Sequence, residues 1–456
     1  MSADREAPLA LRLADAFYAV VLEDLPPAVI EHLKTLILDA LACIHAAPEG
    51  LVAEARAVAA AGAGSGAGSS HVLTTAEVLT PAAAVVVNGA LLRSRDLMDV
   101  YAGTDVCHPS EAVPTILAAG EQAGASCRLA LETFAAAVML HVRLSEMLPM
   151  HRHGFHHTGH AAIVAPLAIA RMRGLTPEAA AAALNLSSAG LLIPEGFSRG
   201  HVTNLKTYAY GLQAKAAFGA LSMSGAGLHG ASTMLDEMIS VWSAAGGALP
   251  AAERLTARLD PQAIASVWLK RYPAQYALQP LIAAATVFSQ KMPGVHRRIS
   301  EIKIRASRRT VERCADPAKY MPSNAESADH SLPFCVATAL VDGSFNESSL
   351  EKQRWLNHDV REVMERIRVE ALDDCIGYEV GRQMLTIRLK DGEEFTTRPE
   401  YPPAGVDWRQ IAVRKLVTHA HQTIDVHAAL EFVQALQQDI LLGSAIESIF
   451  VGSTPR

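Results

Sequence analysis

Between Asn88 and Glu121 the chain reads NGALLRSRDLMDVYAGTDVCHPSEAVPTILAAGE. Asp96 and Asp99 lie three apart, a polar break follows from Tyr101 to Asp105, and His108-Pro109-Ser110 stands just ahead of a new apolar pattern. Carboxylates and an imidazole can take and return protons near neutrality. A helix end, a loop and a helix start are a common way to hold such groups at a pocket wall. The helix start beside His108 favours an anion, and Ser110 is its expected N-cap. The same pattern also describes a capped helix with one histidine in its turn. A second cluster, HRHGFHHTGH, sets five histidines between His151 and His160. It lacks the H-E-x-x-H spacing of a zinc site, and Arg152 is a poor neighbour for a cation, so a loop of polar side chains is the favoured reading. Lys206 precedes a small-residue helix expected from Tyr210 to Ser224. There the dipole disfavours a cation, so the lysine is either solvated or part of an anion site.

These groups need a scaffold, and the apolar spacing describes one. Helical periodicity covers 8–46, split at Pro26-Pro27, then 81–93, 110–125, 128–148 and 160–173. Another helix starts at Thr176-Pro177, with good residues for the N-cap and first turn. Asp39 reads as a capping or packing group on its helix. The segment from Ala61 to Ser70 reads as a flexible loop, and with no Lys-Ser/Thr after its glycines it is a weak phosphate cradle. After about residue 265 strand-like runs appear at 299–306 and 367–371, followed by a hairpin, 383–389 with 394–398, around Asp391-Gly392. Helices at 275–290, 331–341 and 357–366 complete an α+β unit, and helices return at 407–421 and 425–441. The expected architecture is mainly α with a second α+β domain. A helical domain spans 1–265 and 405–456, and the smaller domain, 266–404, is inserted between its two parts.

Composition excludes several classes. Half of the 456 residues are hydrophobic and 19% are charged, which suits a chain long enough for two cores. The net charge of −7 argues against a nucleic-acid binder, whose phosphate contacts need a basic face. Six cysteines, Cys43, Cys107, Cys127, Cys314, Cys335 and Cys375, show no C-x-x-C spacing and read as free thiols of a reducing compartment. Acidic residues at Asp4, Glu6 and Asp15 disfavour a signal peptide, and no apolar run is long enough to span a bilayer. The expectation is a soluble, cytoplasmic protein with no nucleic-acid or membrane partner.

Several separated pieces together resemble the MmgE/PrpD family of 2-methylcitrate dehydratases, cis-aconitate decarboxylases and iminodisuccinate epimerases. They are Asn88-Gly89, Arg93, the Asp96/Asp99 pair and His108-Pro109-Ser110. They continue with Gly154-Phe155-His156 and Thr158-Gly159, similar to an FHPTG-like motif, and with Asn204-Leu205-Lys206. Lys270-Arg271-Tyr272-Pro273-Ala274 is similar to the family's K-x-F/Y-P-A/S motif. The run from Asn324 to His330 resembles its small-domain entry. The resemblance covers nearly the whole chain. It implies a helical domain made from both chain ends, a site in the cleft between domains, a homodimer, and no metal or other cofactor. It also implies that Asp96, His108, His156, Lys206 and Lys270 line that cleft.

The chemistry of these residue types fits the resemblance. Dehydrating a hydroxy-tricarboxylate needs a base for a proton α to a carboxylate and an acid for the leaving hydroxyl. Asp96 and His108 are the expected acid/base pair, His156 fits either role, and Lys206 and Lys270 bind carboxylates. The chain departs from the family at Val100, where a polar residue is usual, at Gln275, where Cys or His is usual, and at Gln279, where His is usual. A glutamine can donate and accept hydrogen bonds but cannot titrate. Both glutamines are therefore expected substrate-binding groups, with His156 and His157 placed to compensate. The leading reading is a cofactor-free lyase on a small di- or tricarboxylate, most simply a 2-methylcitrate dehydratase. An epimerase, a decarboxylase and a non-catalytic carboxylate binder are the alternatives.

Overall fold

The computed structural model describes residues 7–61, 68–372, 382–420 and 424–450. Asp4, Glu6, Cys375 and most of the glycine-rich loop lie outside them. Among the described residues there are 21 α-helices and one four-stranded sheet, besides two short two-stranded ladders. The fold is mainly α with a small α+β region.

Two large hydrophobic cores account for this arrangement. The first draws on residues from Leu9 to Leu269 and again from Ala412 to Phe450, so the C-terminal helices return to it. Alanine-rich faces permit close approach. A Cβ added at Gly89, in the helix Pro81–Arg93, would meet the Cα of Gly211 in the helix Leu205–Gly225 at 3.4 Å. The second core runs from Ala274 to Leu389. Strand Ile299–Ser307 lies parallel to Ile367–Leu372 on one side and antiparallel to Met384–Leu389 on the other, and Glu394–Thr397 completes the sheet. Ile302 and Ile304 alternate with exposed residues and turn inward with Leu385 and Ile387, the period of two expected of a half-buried sheet. The hairpin turn falls at Asp391-Gly392, where Gly392 takes φ +93°.

Several element ends differ from expectation. The small-residue helix starts at Leu205, so Lys206 sits inside its first turn. Pro109–Ala112 is a 3-10 turn, and the α-helix starts only at Val113. Ser110 is therefore no N-cap, and its hydroxyl instead donates to Asp99 Oδ1 at 2.6 Å. The last expected helix, 425–441, is shorter, Val426–Ala435, and a further helix, Leu442–Glu447, follows it. The five described cysteines are free and buried.

The returning helix Trp408–His419 packs against Pro27–His45. Lys415 Nζ reaches Asp39 Oδ1 at 2.6 Å and the carbonyl of Leu97 at 2.9 Å. Asp39 is thus one half of a buried ion pair that ties the chain's end to the turn carrying Asp96. Lys415→Met leaves the Asp39 carboxylate buried and unpaired, and urea unfolding should show a loss of about 3 kcal/mol, the lower end for such a break. The Asp39→Asn/Lys415→Met double variant should recover most of that loss. A single variant as stable as the parent would show the pair to be dispensable.

Candidate active site

The last turn of the helix Pro81–Arg93 places Arg93 at the wall of a cleft between the two cores. Asn88 holds that helix to the preceding segment, accepting from the Leu73 N–H at 3.0 Å and donating to the His71 carbonyl at 2.8 Å. After the helix the backbone turns sharply. Asp96 takes φ +47°, a left-handed conformation that is unusual for a non-glycine residue and clusters at functional sites. Its carboxylate is held from both sides. Lys270 Nζ lies 2.7 Å from Oδ1, Lys206 Nζ 3.5 Å from Oδ2, and His330 Nε2 3.8 Å from Oδ2. Burial pushes this carboxyl up, but Lys206, Lys270, His330 and Arg93 together outweigh it and hold Asp96 well below the usual carboxylate range. Lys270 also donates to the Asp96 carbonyl at 2.8 Å. Burial lowers the lysine, with Arg93 and Lys206 acting in the same direction and Asp96 opposing them.

Asp99 points away from the cleft. Its carboxylate accepts from the Ser110 hydroxyl and N–H, and its carbonyl receives His108 Nδ1 at 2.6 Å. Burial raises the Asp99 carboxyl to about 7 against those bonds from Ser110. A carbonyl can only accept, so His108 carries its proton on Nδ1 and keeps a lone pair on Nε2. Burial, with Arg93, Lys270 and His157, holds His108 well below the usual histidine range. It is a neutral base at neutral pH.

The histidine loop makes another wall. The His156 N–H bonds the Ile193 carbonyl at 2.7 Å, and Gly159 lets the loop pass so close to the Leu191 carbonyl that a Cβ would collide. His156 Nδ1 accepts from the Thr158 N–H at 3.3 Å and contacts its hydroxyl at 2.9 Å. The proton of His156 therefore sits on Nε2, the opposite tautomer to His108. Burial, with His157 and His151, keeps it neutral as well. His151 Nδ1 donates to Asp105 Oδ1 at 2.8 Å. His157 Nε2 lies 3.4 Å from Glu111 Oε2. The other two histidines of the run are structural, His153 packing on Trp242 and His160 meeting the Leu148 carbonyl. Ligand atoms of His151, His156 and His157 lie within 4.8 Å of one another, but Arg93 and Arg313 line the same cleft and oppose a cation there.

The facing wall comes from the chain after Leu269: Lys270, Gln275, Tyr276, Arg313 and His330. Arg313 Nη1 pairs with Glu195 Oε2 at 2.7 Å across the cleft, and His330 Nδ1 is tightly bonded to Asp329 Oδ1. The space between these walls, open solvent included, is about 430 Å³. Four cationic side chains line it, Arg93, Lys206, Lys270 and Arg313, and among the described residues Asp96 is the one carboxylate on that lining.

Family models fall on both halves of this arrangement. The MmgE/PrpD N-terminal domain matches residues 11–246 and the MmgE/PrpD C-terminal domain matches residues 272–437. The chain belongs to the MmgE/PrpD family. Members of this family are generally lyases and dehydratases.

Within this MmgE/PrpD protein, Asp96, His108, His156, Lys206, Lys270 and Gln275 all line one cleft. Gln275 also caps the following turn, its Oε1 accepting from the Ala277 N–H at 2.7 Å. Gln279 does not join them. Its Oε1 accepts from the N–H groups of Arg271 and Tyr272 at 2.9 and 3.1 Å. Its Nε2 donates to the carbonyls of Tyr272 and Ala274 at 2.9 and 3.0 Å. All of its hydrogen-bonding capacity is spent shaping the turn after Lys270. Val100 is also outside the lining, fully buried in a two-residue bridge with Trp268. Neither departure from the family pattern removes a group from the cleft. Gln279→His should gain no turnover and should lose about 1–3 kcal/mol of stability as backbone groups go unpaired. A gain in turnover would return Gln279 to the site.

The sequence marked His157 as a compensating group but not its pairing with Glu111, held Arg93 in a motif without a role, and gave no sign of Tyr276, Arg313 or His151 with Asp105. His330 stood in a quoted motif without a role. Arg313 carried no local signal. The Asp105–His151 pair was visible only as two residues in separate loops.

Proposed function

We propose that this protein is a lyase acting on a small di- or tricarboxylate, with dehydration of a hydroxy-polycarboxylate of the 2-methylcitrate type as its leading reaction. The observation that carries this reading is the cleft's charge: four cations against one carboxylate, around two neutral imidazoles in opposite tautomers. Glu111, Glu195 and Asp329, behind the lining, hold Arg93, Arg313 and Lys206 in place, so on the open side the cations outnumber the carboxylates and suit a polyanion.

In this reading His108 Nε2 takes the proton α to a substrate carboxylate. Arg93, Lys206 and Lys270 stabilise the charge that gathers on that carboxylate as the proton leaves. His156 presents Nε2–H as a hydrogen-bond donor for a substrate oxygen. Asp96, held ionised by two lysines, is a poor proton carrier and instead fixes the two ammonium groups. Its role shifts from acid or base to anchor.

Turnover of a panel of citrate-like acids, with products identified by NMR, tests the reading. Water loss from a hydroxy-polycarboxylate is the expected result. Loss of carbon dioxide or inversion without water loss would assign the same carbanion chemistry to another reaction of the family. No change in any acid would leave a carboxylate-binding protein.

A further inference from the structure

We propose that His157, backed by Glu111, carries the abstracted proton from His108 to the leaving hydroxyl. This rests on the dehydration reading above. That reading supplies a base but no acid: a neutral His156 would have to become an imidazolate, and Asp96 is held ionised. His157 fills the vacancy by position. It lines the same cleft and is almost fully buried. Its ring centroid lies 5.2 Å from that of His108, edge-on at 69°, and 4.3 Å from that of His156.

Its hydrogen bonding is also unlike that of its neighbours. His108, His151 and His156 each have Nδ1 committed to a fixed partner. Among the described residues, neither nitrogen of His157 and neither carboxylate oxygen of Glu111 has a short, well-aligned hydrogen bond; their contacts are long ion pairs. Glu111 Oε2 stands 3.4 Å from His157 Nε2, and Arg93 Nη1 stands 3.4 Å from Glu111 Oε1. Buried polar groups held at such long contacts are poorly satisfied in a resting protein and call for an explanation. An imidazole that must accept and then release a proton is one. A carboxylate beside it favours its charged form during that interval.

The proton count closes without a co-reactant. The C–H pair goes to carbon as His108 Nε2 gains the proton. His108 passes the proton to His157, and Glu111 stabilises the imidazolium. His157 gives it to the hydroxyl oxygen as the C–O pair leaves with that oxygen, and the carbon pair closes the double bond. The products are an unsaturated acid and water, and both histidines return to neutrality.

The test separates proton removal from water loss. In D2O the parent should do both. His157→Gln should keep exchanging the substrate's α-hydrogen for deuterium, followed by NMR, while dehydration falls about a hundredfold. Added imidazole should restore part of the dehydration, which a collapsed fold would not allow, and Glu111→Gln should lower dehydration in the same selective way. Equal losses of exchange and dehydration in His157→Gln, or dehydration at the parent's rate, would overturn the relay and leave the lyase reading standing. A parent that neither exchanges nor dehydrates any acid on the panel would overturn both.

Discussion

Replacing His108 by alanine is expected to lower kcat by about a hundred- to ten-thousand-fold, the usual contribution of general acid–base catalysis, with KM little changed. The reason lies in what the side chain touches. Nδ1 is spent on the Asp99 carbonyl, so the remaining nitrogen acts only when a proton moves, and losing it is felt at the barrier and not in the bound ground state. A pH profile checks the same assignment. A base works only while unprotonated, so its pKa sets the acid limb of kcat. Burial and the neighbouring Arg93 and Lys270 hold His108 well below its ordinary 6.5. Activity should therefore persist as pH falls through 6.5, and the limb should appear only at lower pH. A limb at or above 6.5, or a His108→Ala variant that loses affinity but not turnover, would remove His108 from the base role.

The same residue shows what was legible in the sequence. Three-residue spacing in Asp96-Leu97-Met98-Asp99 and the turn at His108 marked a titratable cluster, because local patterns fix which residues sit at a helix end. They could not show that the two carboxylates turn opposite ways, Asp96 to the lysines and Asp99 to Ser110. The fold class was readable because its cores follow long periodic runs. The Asp391-Gly392 hairpin was readable because its turn chemistry is local. Ser110 was misread as a cap because it lies inside a 3-10 turn that precedes the α-helix. Gln279 was misread for a deeper reason. A buried glutamine that braces a backbone turn and one that faces a substrate look identical until the turn is folded. Arg313 was missed because its partner, Glu195, is more than a hundred residues away, a distance over which no spacing rule reaches.

Lys270→Met should raise KM for a polycarboxylate by about a hundredfold, since cutting one partner from a buried charge pair costs about 2–5 kcal/mol and each 1.4 kcal/mol is roughly tenfold. Two effects are mixed in that number. Lys270 Nζ donates to both Asp96 Oδ1 and the Asp96 carbonyl, so its loss releases the strained turn and leaves Asp96 with Lys206 at 3.5 Å as its main counter-charge. An ammonium has three donors, and the third is the one available to substrate. The Asp96→Asn/Lys270→Met double variant separates the two. Neutralising the carboxylate removes the unpaired charge, so the double variant should regain most of the stability that Lys270→Met loses, read by urea unfolding. It should regain none of the affinity, because the cleft still lacks one of its cations. A double variant that recovers both would show Lys270 acting only through Asp96. One that recovers stability alone places the ammonium against the substrate's carboxylate.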